Sequence, residues 1–302
     1  MRASRLLAMA LAALLAAGCA RHVNAPAETM PMPETRFRVD NGVRFTPDGA
    51  EPALFADIYT PVTLGPYPTI VIVPAGRWET GRARDMRFVA EFLAQRGFAA
   101  VAVEHRPASR GDLEAQLGDL LGALRWIDRH ARAHHLDMQR VGLMGFESGG
   151  HLATLLALSQ SAAQPLPGLA RDPALPSVRA VVAGGAPVDL AAMADNADVS
   201  RLMGAADAEA LRRASPLHRV HAQAPPFFLF HGTTDGYVPV AQAEAMVTRL
   251  ERHGVPVQLY RMSLRGHTTT YLTVSGALQA GARFLWRHVA EPGQQAAYPR
   301  SP

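Results

Sequence analysis

Cysteine is almost absent from this sequence, and its scarcity excludes several kinds of chemistry. Cys19 is the only cysteine among 302 residues. One cysteine cannot form a disulfide within the chain or supply a metal site made of several thiolates. Because Cys19 directly follows an apolar leader, we expect no thiol nucleophile in the body of the protein.

Long apolar runs and clustered charges are also lacking. The apolar run at residues 6–17 is about a dozen residues long, whereas a helix that spans a bilayer needs about 20. The net charge is +4, but the basic residues are scattered and do not alternate with aromatic residues. The densest basic stretch, residues 125–135, is typical of a solvated helix face. We therefore expect no nucleic-acid partner.

The chain begins like a secretory signal, which we predict at residues 1–19. Arg2 and Arg5 precede the apolar run, and small residues precede Cys19; this arrangement is typical of such signals. The stretch LAAGC resembles a bacterial lipobox, which implies that Cys19 is lipidated and becomes the first residue of the mature protein. The alternative is an ordinary cleaved signal with an incidental cysteine.

We predict a flexible tether between this anchor and the folded domain. Residues 20–34 show little apolar periodicity and contain three prolines, as linkers do. A lipid on Cys19 would attach the protein to a membrane of the bacterial cell envelope. Ala20 after the cysteine favours the periplasmic face of the outer membrane.

Most of the remaining chain predicts a single α/β domain. About 265 residues suit one large α/β domain, and a hydrophobic content of 48% suffices for one core. Apolar runs rich in Val, Ile and Phe recur between helical patterns, and continuous apolarity indicates strands that are covered on both faces. The six runs are residues 69–73, 98–103, 140–144, 178–183, 227–230 and 257–260.

These runs predict a mostly parallel, doubly wound sheet with flanking helices over residues 35–290. Residues 37–39 and 53–59 are expected to begin the sheet in antiparallel fashion. The loop-rich residues 191–226 are a candidate cap over the site, and residues 291–302 are expected to form a tail. The sequence contains no internal repeat.

Three of the six strands end at residues with reactive side chains. Glu147 and Ser148 follow the third run, Asp235 follows the fifth, and His267 follows the sixth. The carboxyl ends of parallel strands meet at one edge of a sheet, so we expect these side chains to lie together. Nucleophile, acid and base in this order along the chain are typical of the α/β hydrolases.

The chain resembles the esterase and lipase branch of the α/β-hydrolase superfamily, whose oxyanion loop reads HGGxW. That branch includes acetyl xylan and feruloyl esterases, kynurenine formamidases and relatives of hormone-sensitive lipase. The ordered matches cover nearly the whole chain: FADIYTP, PAGRW, VEHRPA, LRWIDRHA, ASPLHRV, PPFFLFHGTTDGYVPV and RGH. The resemblance implies that Asp235 orients His267, the general base. We expect structural or surface roles for the other histidines.

The oxyanion loop keeps only part of the HGGxW pattern, because Pro74 and Ala75 stand where the family has histidine and glycine. The resemblance implies that the donors to an oxyanion are backbone N–H groups. We expect them from Gly76, Arg77 and Ser148. Replacing a glycine with alanine alters the turn that aims these donors.

The stretch GFESGG predicts a nucleophile elbow with glutamate in the place of the nucleophile. The turn needs small residues two places before and two places after the nucleophile. Gly145 and Gly149 satisfy this rule around Glu147, whereas centring the turn on Ser148 puts Phe146 in a crowded position.

Three interpretations of this substitution stay open. Ser148 serves as the nucleophile after a local shift of the turn, which gives an ordinary esterase. Alternatively, Glu147 is itself a nucleophile that attacks a saturated carbon and forms an ester that His267 and water can cleave. In the third interpretation the protein has lost hydrolysis and retains binding in the pocket.

Two further hypotheses concern Glu147. The Arg77 side chain is expected to pair with Glu147 and fill the oxyanion site, and a metal site made of Glu147, Asp235 and His267 is a weaker alternative without a supporting ligand spacing. Our main prediction is an esterase-like hydrolase that acts on a small-molecule ester and needs no cofactor or metal.

Overall fold

Strands covered on both faces build the centre of the structure. The computed structural model describes residues 21–23, 32–110, 112–162, 166, 169 and 172–290, and within them nine strands form one sheet. The strands are β1 (Arg21–Val23), β2 (Phe37–Arg44), β3 (Phe55–Pro61), β4 (Tyr67–Val73), β5 (Ala99–Val103), β6 (Leu136–Phe146), β7 (Val178–Gly184), β8 (Phe227–Gly232) and β9 (Val257–Met262). Their order is β1-β9-β8-β7-β6-β4-β5-β3-β2.

The central strands are parallel, as their continuous apolarity predicts. Strands β4 to β9 pair in parallel, whereas β2 and β3 enter the sheet antiparallel at one edge. Every residue of β4, β5 and β8 is buried. The predicted mostly parallel sheet is therefore confirmed, and so is its antiparallel start.

Helices cover both faces of the sheet. They are α1 (Arg87–Gln95), α2 (Leu113–His130), α3 (Glu147–Ser161), α4 (Ala197–Met203), α5 (Ala208–Arg213), α6 (Ala241–Arg252), α7 (His267–Leu272) and α8 (Ser275–Leu285). Apolar residues of α2, α3 and α6 belong to the core on one face, and those of α1 and α8 belong to the core on the other. This is a doubly wound arrangement, in which ligands bind at the carboxyl ends of the strands.

Residues 191–226 lie between β7 and β8 and contain α4, α5 and two short 3-10 turns, Ala191–Met193 and Pro216–Arg219. This segment adds no strand to the sheet. It is therefore an insertion at the carboxyl edge, where the cap was expected.

The N-terminal part of the described chain differs from the expectation of a tether. Strand β1 lies inside residues 20–34, and it pairs antiparallel with β9 at the edge of the sheet. An edge strand leaves N–H and C=O groups unpaired, and these accept a further strand readily. The predicted signal, Cys19 and the tail at residues 291–302 lie outside the described residues. In the part that is described, no helix is both long and apolar enough to cross a bilayer.

Candidate active site

The chain makes a tight turn between β6 and α3, and Glu147 lies at that turn. Strand β6 ends at Phe146 and α3 begins at Glu147 without an intervening loop. Glu147 has a φ of 51°, which is uncommon for a residue with a side chain. A Cβ atom on Gly145 would lie 2.3 Å from the backbone of Gly149, and one on Gly149 would lie 2.2 Å from the carbonyl oxygen of Val73. Both positions need glycine, and Glu147 rather than Ser148 occupies the elbow.

The Glu147 carboxylate lies against the predicted oxyanion donors. Its Oε2 atom accepts hydrogen bonds from the backbone N–H groups of Gly76, at 2.9 Å, and Arg77, at 2.8 Å. The Ser148 hydroxyl donates to the same oxygen at 3.2 Å. Glu147 is 3% exposed and is the first residue of α3, where the helix dipole stabilises negative charge. The carboxylate therefore takes the position that an oxyanion would occupy.

The second carboxylate oxygen of Glu147, Oε1, differs from Oε2 in its hydrogen bonding. It is buried, and among the described residues it has no hydrogen-bond partner. A buried polar atom without a partner is costly and is often found where a site carries a function. Glu147 thus has one oxygen that is fully engaged and one that is not engaged at all.

Two of the three predicted oxyanion donors meet at this point. The N–H groups of Gly76 and Arg77 both bind Glu147, whereas Ser148 reaches the carboxylate through its hydroxyl. Within the described chain, no hydrogen bond joins the backbone N–H of Ser148 to this carboxylate. The Ser148 hydroxyl donates to Glu147, and among the described residues no hydrogen bond joins it to His267.

Asp235 and His267 form a closely bonded pair at the same edge of the sheet. The Nδ1–H group of His267 donates to Oδ2 of Asp235 at 2.7 Å. Oδ1 of Asp235 accepts backbone hydrogen bonds from Tyr237, at 2.9 Å, and Val238, at 2.8 Å. Burial alone would raise the pKa of Asp235, but the hydrogen bonds from His267 and Val238 outweigh it and lower the pKa below its usual value. The carboxylate is thus held ionised, and it orients the imidazole.

Helix α4 of the inserted segment, residues 191–226, reaches the site through Asp198. The Tyr237 hydroxyl donates to Oδ2 of Asp198 at 2.8 Å, and the Tyr237 ring packs edge-on against His267 with centroids 4.9 Å apart. Burial, the hydrogen bond to Asp198 and the charge of Glu147 all raise the pKa of Tyr237, so it stays a neutral donor. Sequence reasoning missed both residues: Tyr237 lies in the matched stretch PPFFLFHGTTDGYVPV but was given no role there, and Asp198 lies in a different segment outside the matched stretches.

The expected pairing of the Arg77 side chain with Glu147 is wrong. The Arg77 guanidinium lies over the Tyr237 ring, 4.8 Å from its centroid, and its Nη1 atom is 3.8 Å from Oδ2 of Asp198. Arg77 has a φ of 55°, which turns its N–H toward Glu147 while its side chain, 62% exposed, extends toward the cap. The backbone of Arg77 binds Glu147, and its side chain does not.

A metal site made of Glu147, Asp235 and His267 also finds no support. Across the described ranges, no three His, Cys, Asp or Glu side chains are grouped so as to hold a metal ion. Oε2 of Glu147 and Oδ1 of Asp235 are both engaged by backbone N–H groups. These carboxylates are arranged to accept hydrogen bonds.

Comparisons with known proteins identify the family and the fold. The family model described as BD-FAE matches residues 56–250. The probable carboxylic ester hydrolase LipM of Mycobacterium tuberculosis is 29% identical over 199 residues, which are 62% of this chain and 46% of LipM. The esterase LipQ of the same organism is 27% identical over 253 residues, which are 76% of this chain and 57% of LipQ. The chain therefore spans about half the length of these curated relatives.

A solved structure shows the same fold. The truncated form of a carbohydrate esterase from gut microbiota superimposes with a TM-score of 0.74 and 21% identity, and the match covers 86% of this chain and all of that one. The family match extends over more than half of the chain and includes the elbow and Asp235. The protein belongs to the BD-FAE family and has the α/β-hydrolase fold.

Proposed function

We propose that this protein retains the fold and the Asp235–His267 pair of an ester hydrolase but does not hydrolyse esters through a serine acyl-enzyme. The observation that supports this proposal is the position of Glu147, whose Oε2 atom accepts the N–H groups of both Gly76 and Arg77. The function left to this site is the binding of a small molecule of the ester class.

An occupied oxyanion hole opposes the acyl-transfer reaction directly. In that reaction the carbonyl oxygen of the substrate becomes an oxyanion that sits about 2.7–3.1 Å from the donors. The donors of this site already lie at 2.8 and 2.9 Å from a carboxylate oxygen. A substrate oxygen would have to displace that carboxylate and leave its charge buried without partners, which is costly. Loss of the serine nucleophile alone costs about a millionfold in turnover.

One observation favours a second candidate, in which Glu147 is the nucleophile of a different hydrolysis. Among the described residues, Oε1 has no hydrogen-bond partner, so its lone pairs are free to attack. In this reaction Oε1 attacks a saturated carbon, and the leaving group departs with the bonding electron pair. His267 then takes a proton from water, and the resulting hydroxide attacks Cδ of the glutamyl ester.

The occupied hole suits this second reaction better than it suits acyl transfer. During hydrolysis of the glutamyl ester, the negative charge develops on Oε2, which already accepts the N–H groups of Gly76 and Arg77. Collapse of the tetrahedral intermediate expels the alkoxide, which takes the proton from His267. It leaves the carboxylic acid of Glu147, which loses its proton to water and becomes the carboxylate again. The products are an alcohol and the free leaving group.

A set of variants of the full chain separates these functions on p-nitrophenyl acetate. We expect the wild type to hydrolyse this ester no faster than His267→Ala, whereas Glu147→Ser gains activity of at least about 100-fold, since the oxyanion donors and the dyad remain. The gain should vanish in Glu147→Ser combined with His267→Ala. Glu147→Gln is the matched control, because it keeps the shape of the side chain and supplies no nucleophile.

Two results would reassign the function. A wild type that turns over the ester and loses this activity in Ser148→Ala makes Ser148 the nucleophile and overturns the proposal. If incubation with alkyl halides or epoxides in ¹⁸O-labelled water places label in the Glu147 carboxylate, measured by peptide mass spectrometry, the second candidate is correct.

We also propose that Cys19 carries a lipid that holds the protein in the bacterial envelope. The support is the LAAGC stretch in the leader. Wild-type protein should then sediment with membranes and release an acylated N-terminal peptide, and Cys19→Ala should lose both properties. Equal fractionation of the two proteins would contradict the lipid anchor.

A further inference from the structure

The loop that carries the oxyanion donors has an unusual backbone. Gly76, Arg77 and Trp78 follow one another with φ values of 145°, 55° and 60°. Positive φ is unfavourable for residues that bear a side chain, and it persists only where the surrounding structure holds it. The aim of the Gly76 and Arg77 N–H groups therefore depends on what holds the loop.

Trp78 joins the loop to neighbouring helices, in addition to the turn hydrogen bonds that the N–H groups of Glu79 and Thr80 donate to the Gly76 carbonyl oxygen. The Trp78 side chain is fully buried, at 0% exposure. Its indole N–H donates to Nδ1 of His151 at 3.1 Å, and its carbonyl oxygen accepts from Nε2 of Gln116 at 2.7 Å. Both ends of Trp78 are thus bonded to side chains of the helices that pack on this face of the sheet.

Both ring nitrogens of His151 form hydrogen bonds, and their partners determine which nitrogen carries the proton. It lies on α3, one turn after Glu147, and is completely buried. Its Nε2 atom is 3.0 Å from the carbonyl oxygen of Ala214. A carbonyl oxygen only accepts and an indole N–H only donates, so Nε2 carries the proton and Nδ1 is the acceptor. The neutral imidazole connects the oxyanion loop, α3 and the cap segment.

We propose that His151 is a positioning residue for the oxyanion hole: its imidazole holds Trp78 and thereby aims the N–H groups of Gly76 and Arg77. Helix α3 then fixes both the nucleophile position and the oxyanion donors, because it carries Glu147 and His151. This role concerns the same site as the proposed function. It depends on the contact between Trp78 and His151, and it can be tested by NMR without any measurement of activity.

Two variants separate the two hydrogen bonds of His151. In His151→Asn the side-chain Oδ1 takes the place of Nδ1 and can accept from Trp78, but the Nε2–H donor is lost. In His151→Gln the side-chain Nε2 takes the place of the imidazole Nε2 and can donate to Ala214, but the acceptor for Trp78 is lost. The pair is matched, because each variant replaces the ring with an amide and removes one of its two bonds.

Nitrogen-15 NMR of the full chain detects both the hydrogen bond between Trp78 and His151 and the position of the Arg77 N–H group. We expect the Trp78 indole N–H and the Arg77 backbone N–H to keep their wild-type chemical shifts in His151→Asn and to move together in His151→Gln. Thermal unfolding of both variants is measured as well. If His151 had only a structural role, the variant with the lower melting temperature would show the larger changes in chemical shift. An Arg77 amide that stays unchanged when the indole resonance moves would overturn the proposal, as would equal changes in both variants.

The His151→Asn and His151→Gln variants can also be compared by enzyme kinetics when each is combined with Glu147→Ser. Adding His151→Gln should lower kcat on p-nitrophenyl acetate by about 100-fold, the cost of a misplaced oxyanion donor, with little change in KM. Adding His151→Asn should leave kcat within about threefold of the Glu147→Ser protein, by the same reasoning. If Glu147→Ser is inert, the proposed function loses its support, whereas the NMR result still decides the role of His151.

Discussion

Replacing His151 with Asn should change how the stability of the protein depends on pH. In the folded protein burial lowers the pKa of His151 from 6.5 to about 4, and its hydrogen bond to the Ala214 carbonyl offsets only part of this effect. In the unfolded chain the imidazole returns to an ordinary pKa. Between these two values the unfolded state binds a proton at this position that the folded state does not bind.

The sign and the size of the effect follow from this difference. Because the unfolded state binds the additional proton, the free energy of unfolding falls as the pH is lowered from 6.5 toward 4, and it is retained above that window. The slope is about 1.4 kcal/mol per pH unit inside the window. Integrated from pH 7.5 to pH 5, His151 should contribute a loss of about 2 kcal/mol.

Urea unfolding of the wild type and of His151→Asn at pH 7.5, 6.5, 5.75 and 5 measures this contribution. Burial also lowers the pKa values of His105, His231 and His288, but these residues are present in both proteins and cancel in the comparison. The wild type should therefore lose about 2 kcal/mol more than the variant over this range. Parallel pH profiles would refute the assignment of a neutral, buried imidazole that binds Trp78.

Three further predictions concern the elbow and the cap. Gly149→Ala should prevent normal folding, because its Cβ would lie 2.2 Å from a backbone oxygen, whereas the matched Gly118→Ala, which meets nothing within 4 Å, should leave the melting temperature unchanged or raise it. Tyr237→Phe removes the hydroxyl that donates to Asp198; we expect faster hydrogen exchange of the α4 amides, and unchanged exchange would show that this bond does not hold the cap. Glu147→Ala removes the acceptor of two partly buried N–H groups and should cost less than the about 1–3 kcal/mol for each that fully buried unpaired groups cost. Glu147→Gln keeps an acceptor and should cost less than Glu147→Ala when urea unfolding is compared.

Much of the fold follows from local patterns. The six continuous apolar runs lie in β4 to β9, because a strand covered by helices on both faces needs apolar residues at every position. The register of the elbow is equally local. Gly145 and Gly149 lie two residues to either side of Glu147, and the backbone approaches both too closely for any Cβ.

Contacts between distant segments were not predictable in the same way. We expected residues 20–34 to need no fold, yet β1 pairs with β9, more than 200 positions away in the chain. The guanidinium of Arg77 was expected at Glu147, yet it meets Asp198 of the cap. A side chain takes the partner that the fold brings near it, and the spacing of motifs along a sequence carries no information on that partner.

The sequence by itself determined the family and the strand that each reactive residue follows. It also showed a glutamate where a serine is expected. Only the tertiary structure decided where that glutamate points. Its Oε2 atom fills the oxyanion hole because the loop at residues 76–78, held through Trp78, places two N–H groups opposite the N-terminus of α3. The hydrogen bonds that would stabilise a substrate oxyanion are therefore used within the protein itself.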